Sequence, residues 1–263
     1  MAEETPTAGE FVQSLDRGLA VIRAFGPQRP LLTLSEVSRE AGISRASARR
    51  FLHTLVELGY VGTDGRAFFL RPRLLDLGFA YLSGLGLPEI AQPHLRELSE
   101  RTGESTSVAI LDGDDIVYVA RVATYRIISA AIGVGTRLPA FATSMGRTLL
   151  AFLPPGEREA FLERVELRPL TDFTITTRAR LRKALEEIAA QGWSFVDQEL
   201  EEGLRSFAAP IRDASGAVTA AVNVSTPVRR GGVDETRERV VPPLLEAARR
   251  IEADLQRAGT RIR

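Results

Sequence analysis

Apolar residues recur at intervals of three and four along the first part of the chain, a spacing that places them on one face of a helix. The first predicted helix begins near Ser14 and ends before Gly26. Its apolar stripe consists of Phe11, Leu15, Leu19, Ile22 and Phe25. A second, shorter helix begins near Leu34 and ends before Gly42, which gives the backbone the freedom to turn sharply.

The third predicted helix carries arginine on the face opposite its apolar stripe. Ser44 is a natural N-cap, because its hydroxyl can accept hydrogen bonds from the first free backbone amides. The inward face consists of Ala48, Phe51, Leu52, Leu55 and Leu58. The outward face consists of Arg45, Ser47, Arg49, Arg50 and His53. Two helices joined by a tight glycine turn, the second of them cationic, are typical of a helix-turn-helix that reads the major groove of DNA.

Apolar and polar residues alternate along residues 60–70, on both sides of the pair Asp64-Gly65. This pattern strongly favours a hairpin turn. Helix, turn, helix and hairpin together predict a winged helix-turn-helix domain over residues 11–71. We expect it to contact double-stranded DNA through Ser44, Arg45, Ser47, Arg49, Arg50, His53 and, at the wing tip, Arg66. The alternative is that these arginines are ordinary solvated charge on a surface helix.

The overall charge limits how DNA can be bound. The chain has 34 basic and 34 acidic residues, so its attraction to DNA must come from a local concentration of positive charge. Because one such surface binds weakly, we expect two copies of the domain to act together on a palindromic operator. No apolar run reaches the length of a membrane span, and residues 1–10 are acidic and polar, which predicts a disordered N-terminus rather than a signal peptide. We therefore expect a cytoplasmic protein with no membrane partner.

Residues 72–87 are predicted to form a linker helix with its own apolar stripe. This stripe either docks on its own domain or pairs with a second subunit. We favour pairing, because a short isolated helix gains little stability without packing. Pro88 then begins another helix that runs to about Arg101.

From Ser105 onward, strands and helices alternate, which predicts an α+β sensor-like domain. A hairpin is formed by 106–111 and 116–121. Further strands are predicted at 127–132, 193–197, 204–211 and 217–225, and helices at 143–153, 157–164, 178–191 and 233–257.

The last two strands bring small polar residues together. If Arg212 pairs with Ala217, Ser206 lies across from Asn223, and Ser225 lies on the same face. The opposite face of the last strand, with Val218, Ala220, Val222 and Val224, is apolar and belongs to the core. The polar face suits a small oxygen-bearing ligand, and a half-solvated sheet face is an equally good interpretation.

A second part of this pocket is predicted at the start of a helix. Thr143 can cap it, which leaves the first free amides near Ser144, Met145 and Gly146, and helix starts attract anions. The alternative is an ordinary capped helix in which Gly146 permits close packing against the sheet. Together the two parts indicate a carboxylate ligand held by neutral donors.

Enzyme functions find little support in the sequence. The two histidines, His53 and His94, occur without a Gly-x-Ser-x-Gly motif, so a hydrolytic triad is not available. The loop at 133–138 lacks the third glycine of a dinucleotide site, and the acidic run at 112–115 lacks the closing glutamate of a calcium loop. Cysteine is absent. We therefore predict no catalytic residue, no cofactor and no metal.

The chain resembles the IclR family of bacterial transcriptional regulators over nearly its whole length. The resemblance rests on the motifs at 13–22, 42–55 and 197–210. It implies a winged helix, a linker helix and a GAF-like domain for effector binding and oligomerisation at 88–263, assembled as a homodimer or tetramer. Family ligand contacts would fall on Ser144, Met145, Ser206, Asn223 and Ser225. Val196 stands where many members carry aspartate or asparagine, so a polar contact is in question there.

A finer resemblance is to the branch that controls breakdown of aromatic acids through the β-ketoadipate pathway. It rests on residues 134–147 and 197–200. It implies protocatechuate, 4-hydroxybenzoate or β-ketoadipate as effector. We thus expect a transcription factor whose operator binding or activation responds to an organic acid. Two rivals remain: a metabolite sensor that acts through a protein partner, and a small-molecule enzyme.

Overall fold

A computed structural model describes residues 11–124 and 132–260 of the chain. These divide into two compact units, Met1–Tyr81 and Leu82–Arg263, and the division falls inside the region predicted as a linker helix. The predicted disorder of residues 1–10 and nearly all of the predicted strand at 127–132 lie outside the described residues.

The smaller unit is a winged helix-turn-helix, as the sequence predicts. Its elements are α1 (Gln13–Arg23), α2 (Leu34–Glu40), α3 (Arg45–Glu57), β1 (Val61–Thr63), β2 (Phe68–Leu70), a 3-10 turn (Pro72–Leu74) and the beginning of α4 (Leu75–Leu85). β1 and β2 pair antiparallel. The core is formed by Val21, Phe25, Val37, Ala48, Leu52 and Val61, all of them buried. This core fixes α3 against the two helices before it.

Local hydrogen bonds set the turn between α2 and α3. Thr33 caps α2, and the Glu36 carboxylate accepts from the Thr33 amide at 2.7 Å, which forms a capping box. Gly42 adopts a left-handed φ of 64°, as its predicted turn requires. The Ser44 hydroxyl accepts from the Ser47 amide at 3.2 Å, so Ser44 is the predicted N-cap.

One prediction about burial in this unit is wrong. Leu58, placed on the inward face of α3, is 51% exposed. In α1 the stripe predicted at helical spacing also points largely to solvent, with Leu15 63% exposed, while Val21 is fully buried. Helical spacing identifies residues that share a face, but it does not show which face another element covers.

The wing is closed by the side chain of its first turn residue. The Asp64 carboxylate accepts from the amides of Arg66 and Ala67 at 2.9 and 2.7 Å. Both hydrogen bonds lower the pKa of the Asp64 carboxyl group, and the one from Ala67 has the larger effect. Gly65 takes the left-handed φ of 90° that the turn requires. Arg66 is therefore held at the tip, as predicted.

The larger unit is built on one antiparallel sheet. Its elements are α5 (Leu87–Thr102), β3 (Ser105–Asp112), β4 (Asp115–Val122), β5 (Arg137–Pro139), α6 (Ser144–Ala151), α7 (Pro155–Arg164), α8 (Arg178–Gln191), β6 (Ser194–Asp197), β7 (Leu204–Arg212), β8 (Val218–Pro227) and α9 (Val233–Ala258). Among the described residues, the strand order is β5-β4-β3-β8-β7-β6. The α+β prediction is confirmed.

Helices cover both faces of this sheet. α5 and α9 enclose one core, which includes Leu95, Phe207, Val222 and Leu244. α6 lies on the other face and α8 packs against it, in a second core that includes Met145, Leu150, Leu181 and Leu185. Ala220, Val222 and Val224 face the first core, as predicted, whereas Val218 packs against the second.

The predicted register of β7 and β8 is wrong by two residues. Ser206 pairs with Ser225, and Asn223 pairs with Ala208. The register shifts next to Arg212, so that Ile211 pairs with Ala220 and Arg212 with Val218, and this register leaves Thr219 unmatched. An error of two residues keeps the face of each side chain, so Ser206, Asn223 and Ser225 still share one face.

Ion pairs link α5 to α9. Arg250 binds Glu97 at 2.6 Å, and His94 Nε2 lies 2.7 Å from the carboxylate of Asp254. The hydrogen bond from Arg250 lowers the pKa of Glu97 below its ordinary 4.5, and that from His94 lowers the pKa of Asp254 below 3.8. A carboxylate with a lowered folded pKa adds stability above its ordinary value and loses it as the pH falls through the folded value.

We therefore expect the melting temperature to fall as the pH drops below about 4.5, and Glu97→Gln to weaken this dependence. Thermal melts at closely spaced pH values measure both. Glu187→Gln, on a surface carboxylate 3.9 Å from Lys183, is the matched control and should leave the dependence unchanged. An unchanged slope in Glu97→Gln would contradict the assignment.

Candidate functional site

The exposed face of α3 carries three arginines and a histidine. Arg45, Arg49, Arg50 and His53 are exposed to solvent. Within the described residues none of the three arginines forms an ion pair with a carboxylate. Ser44 and Ser47, also predicted to contact DNA, bond to each other at the start of the helix, and Ser47 is half-buried. Their first role is therefore to build the helix end.

A recess between α1 and α3 adds a cation that the sequence analysis missed. Arg17 lines this recess together with Arg50, Ser47 and Thr54. Arg17 belongs to a motif noted in the sequence, but only the packing of α1 against α3 places it beside Arg50. With Arg66 at the wing tip, the smaller unit presents positive charge at three places, an arrangement suited to phosphates.

The predicted pocket exists in the larger unit. It encloses about 480 Å³ of empty space, its opening included, between the start of α6 and the sheet. Its polar lining consists of Tyr118, Arg121, Thr143, Ser144, Ser206, Asn223 and Ser225. Its apolar lining consists of Ile132, Ala142, Met145, Val196, Leu200 and Leu204. Apolar walls with a few converging polar groups are typical of small-molecule sites.

The predicted polar residues form one hydrogen-bonded network. Ser144 Oγ lies 2.7 Å from Ser206 Oγ. Asn223 Nδ2 donates to the hydroxyls of Ser206 and Ser225, each at 3.0 Å. The structure thus brings together both parts of the predicted pocket, the helix start and the polar sheet face.

The structure does not support the predicted role of Gly146 in ligand binding. It does not line the cavity, and a Cβ built on it would lie 2.2 Å from the carbonyl oxygen of Ala140. Its amide is already bound by the Thr143 hydroxyl at 3.1 Å, so it is not free for an anion. The alternative interpretation, close packing, describes Gly146, although the neighbour is the turn before α6 and not the sheet.

Arg121 is the most important residue that the sequence analysis missed. One guanidinium nitrogen donates to Ser107 at 3.2 Å, while in the described part of the chain Nε is buried without a hydrogen-bond partner and no carboxylate pairs with it. Burial lowers the pKa of Arg121, which nevertheless stays cationic at neutral pH. A buried cation therefore lines the cavity beside the neutral donors that the sequence predicts.

A β-bulge explains how Arg121 reaches the pocket. Ala109 pairs with Tyr118, but Val108 pairs with Ala120, so this register leaves Val119 unmatched. Tyr118 and Arg121, three residues apart, consequently lie on the same face of β4, where simple alternation would separate them.

Tyr118 and Asn223 complete the polar lining. Burial raises the pKa of the Tyr118 hydroxyl to about 12, so the hydroxyl stays protonated at neutral pH and can donate a hydrogen bond. Asn223 Oδ1 is buried and has no hydrogen-bond partner among the residues that the structure describes. Val196 pairs with Ser206 on the neighbouring strand, is buried and lines the cavity beside it, so this part of the lining is apolar.

The acidic residues considered as a calcium site form ion pairs with arginines. Asp112 and Asp115 pair with Arg137, and Asp114 pairs with Arg164. No group of three metal-binding side chains occurs in the described ranges. In those ranges no single helix has the length and composition to cross a membrane, and one bent pair, Pro72–Leu85 with Leu87–Thr102, meets that test only jointly.

Known proteins are similar to this chain over both of its units. Residues 14–65 match the model of the IclR helix-turn-helix domain, and residues 79–253 match that of the bacterial transcriptional regulator IclR C-terminal domain. The Pca regulon regulatory protein of Pseudomonas putida is 48% identical over 241 residues, which cover 91% of this chain and 83% of that protein. The p-hydroxybenzoate hydroxylase transcriptional activator of Acinetobacter baylyi is 34% identical, covering 91% and 90%.

Solved structures are similar over nearly the whole chain. A protein of Rhodococcus sp. RHA1 is 54% identical with a TM-score of 0.85, and the match covers 94% of this chain and all of that one. An IclR homolog of Microbacterium hydrocarbonoxydans, complexed with 4-hydroxybenzoate, is 30% identical with a TM-score of 0.82 and the same coverage.

The packing of Gly146 is testable by one added methyl group. Gly146→Ala should lower the free energy of unfolding by about 1–3 kcal/mol, because the backbone of Ala140 leaves no room for a Cβ. Urea denaturation measures the change. Gly156→Ala, in α7 with open space around its Cβ position, is the control and should be neutral or slightly stabilising. Equal effects of the two substitutions would refute the packing role.

Proposed function

The chain belongs to the IclR family of bacterial transcriptional regulators, and we propose that a hydroxylated aromatic acid in the cavity beside Arg121 controls its binding to an operator. The matched relatives are regulators and not enzymes, which agrees with the prediction that the chain is not an enzyme. The proposal concerns the effector, the residues that hold it and the assembly on DNA.

Two buried polar atoms that have no partner among the described residues carry the proposal. Buried donors and acceptors cost free energy unless they are satisfied, and such an atom in a cavity wall indicates a position where a ligand can bind. Arg121 Nε is a donor on a cation, and Asn223 Oδ1 is an acceptor. A carboxylate satisfies the first, and a hydroxyl group satisfies the second.

The register supports one small ligand that reaches both atoms. Arg121 pairs with Ser107, and Ser107 pairs with Asn223, so the two residues lie on one row two strands apart. Their backbones are about 10 Å apart at the usual strand spacing. A rigid ring with a carboxylate at one end and a hydroxyl at the other suits this span, and Met145, Val196 and Leu200 offer its ring apolar walls.

The relatives support the same class of ligand. One structural neighbour binds 4-hydroxybenzoate, and a curated relative is a transcriptional activator of p-hydroxybenzoate hydroxylase. 4-Hydroxybenzoate and protocatechuate have both groups that Arg121 and Asn223 require, whereas β-ketoadipate has no hydroxyl group or ring. The cavity therefore favours the aromatic acids among the effectors that the sequence implies.

We expect Arg121→Met to weaken 4-hydroxybenzoate binding about 10- to 100-fold, since a charge-assisted hydrogen bond is worth about 1.5–3 kcal/mol. Ser206→Leu should block the cavity and also abolish binding. Isothermal titration measures both. Arg180→Met, on the exposed surface of α8, is the control for loss of one positive charge. Unchanged affinity in Arg121→Met would reject the assigned carboxylate site.

For DNA, we propose that α3 lies in the major groove and Arg66 approaches the adjoining backbone. Exposed apolar residues of the smaller unit, including Leu15 and Leu19 of α1 and Leu75 of α4, offer a surface for a second subunit. A homodimer, or a tetramer built from it, would place two α3 helices on a palindromic operator. A regulator of this kind acts on the chromosome, hence in the cytoplasm.

Replacing Arg49 and Arg50 by alanine should weaken operator binding at least tenfold and reduce the slope of log affinity against log salt by about one for each phosphate that the variant no longer binds. Gel shifts with the adjacent intergenic DNA at several salt concentrations measure this. Arg180→Ala is the control, and ligand binding should be retained. If the unaltered protein binds this DNA at no salt concentration, the alternative function, a metabolite sensor that acts through a protein partner, is favoured.

A further inference from the structure

A buried ion pair joins α6 to the segment that follows β6. Two guanidinium nitrogens of Arg147 lie 2.6 and 2.5 Å from the two carboxylate oxygens of Glu199. The side chains are only 3% and 10% exposed. Neither residue lines the cavity, so the pair does not bind the effector directly.

At one end the pair is fixed to the cavity wall. Arg147 lies in the first turn of α6, whose first two residues, Ser144 and Met145, line the cavity. Arg147 Nε also donates to the carbonyl oxygen of Phe141 at 2.7 Å, just before the helix. The guanidinium is thus held by the same backbone that shapes the start of α6.

At the other end Glu199 is bound to the segment that precedes α8. Its carboxylate accepts from the amide of Ile175 at 2.7 Å, and its carbonyl oxygen accepts from the Thr174 hydroxyl at 2.7 Å. The residue before it, Gln198, has a left-handed φ of 61°, which is costly for any residue but glycine and persists only where surrounding contacts hold it. The bonds to Glu199 supply such contacts.

The segment held in this way is a wall of the cavity. Leu200 follows Glu199 directly, and Leu200 and Leu204 both line the cavity. The Gln198 amide donates to the carbonyl oxygen of Leu204 at 2.8 Å, which closes residues 198–204 into a compact loop. If Glu199 moves, Leu200 has to move with it.

Stability alone is a weak reason for such a pair. Burying two charges costs much of what their attraction returns, and apolar replacements of similar size are often as stable or more stable. We propose that Arg147 and Glu199 are positioning residues for the effector: together they hold the loop at 198–204 against α6, so that Leu200 closes the cavity on an aromatic acid. This inference rests on the function proposed above.

The double variant Arg147→Met/Glu199→Gln tests the inference. It removes both charges, and the glutamine oxygen can still accept from the Ile175 amide. We expect it to stay folded and to bind 4-hydroxybenzoate about tenfold more weakly. The affinity falls because Leu200 is no longer held in place and has to be ordered when the ligand binds. Arg182→Met/Glu159→Gln, at an ion pair of 2.6 Å between α8 and α7, is the control and should bind as the unaltered protein does.

Hydrogen exchange gives a readout that a purely structural role would not change. Ile175 does not line the cavity, so if the ligand acts through Glu199, saturating 4-hydroxybenzoate should slow exchange of the Ile175 amide by more than it slows a core amide such as that of Leu185, which reports only the general stabilisation by binding. Exchange at Ile175 that is unchanged, or slowed no more than at Leu185, overturns the inference, even if the double variant fails to fold. A folded double variant with full affinity overturns it as well. If the unaltered protein binds neither 4-hydroxybenzoate nor protocatechuate, the proposed function falls and this inference falls with it.

Discussion

The sheet of the larger unit buries polar side chains on the face that meets α6, and each buried polar atom needs a partner there. Ser144, Ser206, Ser225 and the amide nitrogen of Asn223 satisfy one another. Arg121 Nε and Asn223 Oδ1 remain without partners in the described part of the chain. This imbalance gives the cavity its chemical character: a position for a negative group, a position for a hydrogen-bond donor, and apolar walls between them.

The elements of the fold are predictable from the sequence where strong local signals occur. Asp64-Gly65 predicts the wing, Ser44 predicts the start of α3, and Gly192 ends α8 where predicted. These features depend on backbone geometry within a few residues, which the residue types determine directly. Burial depends on partners distant in sequence, and for this reason Leu58 was misplaced.

The candidate site was predicted only in part. Ser206, Asn223 and Ser225 were assigned to the correct face even though their register was wrong, because an error of two residues does not change the face. Arg121 was missed because the bulge in β4 breaks the alternation from which faces are read. Gly146 was misassigned because its contact is with Ala140, whose position relative to the helix only the fold defines.

The bulge in β4 has a consequence for comparing related chains. Val119 stands outside the pairing of β3 and β4, so a strand one residue shorter at that point would still present both Tyr118 and Arg121 to the cavity. A sequence alignment that allows no gap there would assign every later residue of such a strand to the opposite side. When the cavity-lining residues of related chains are compared, counting the residues of this strand therefore matters as much as identifying them.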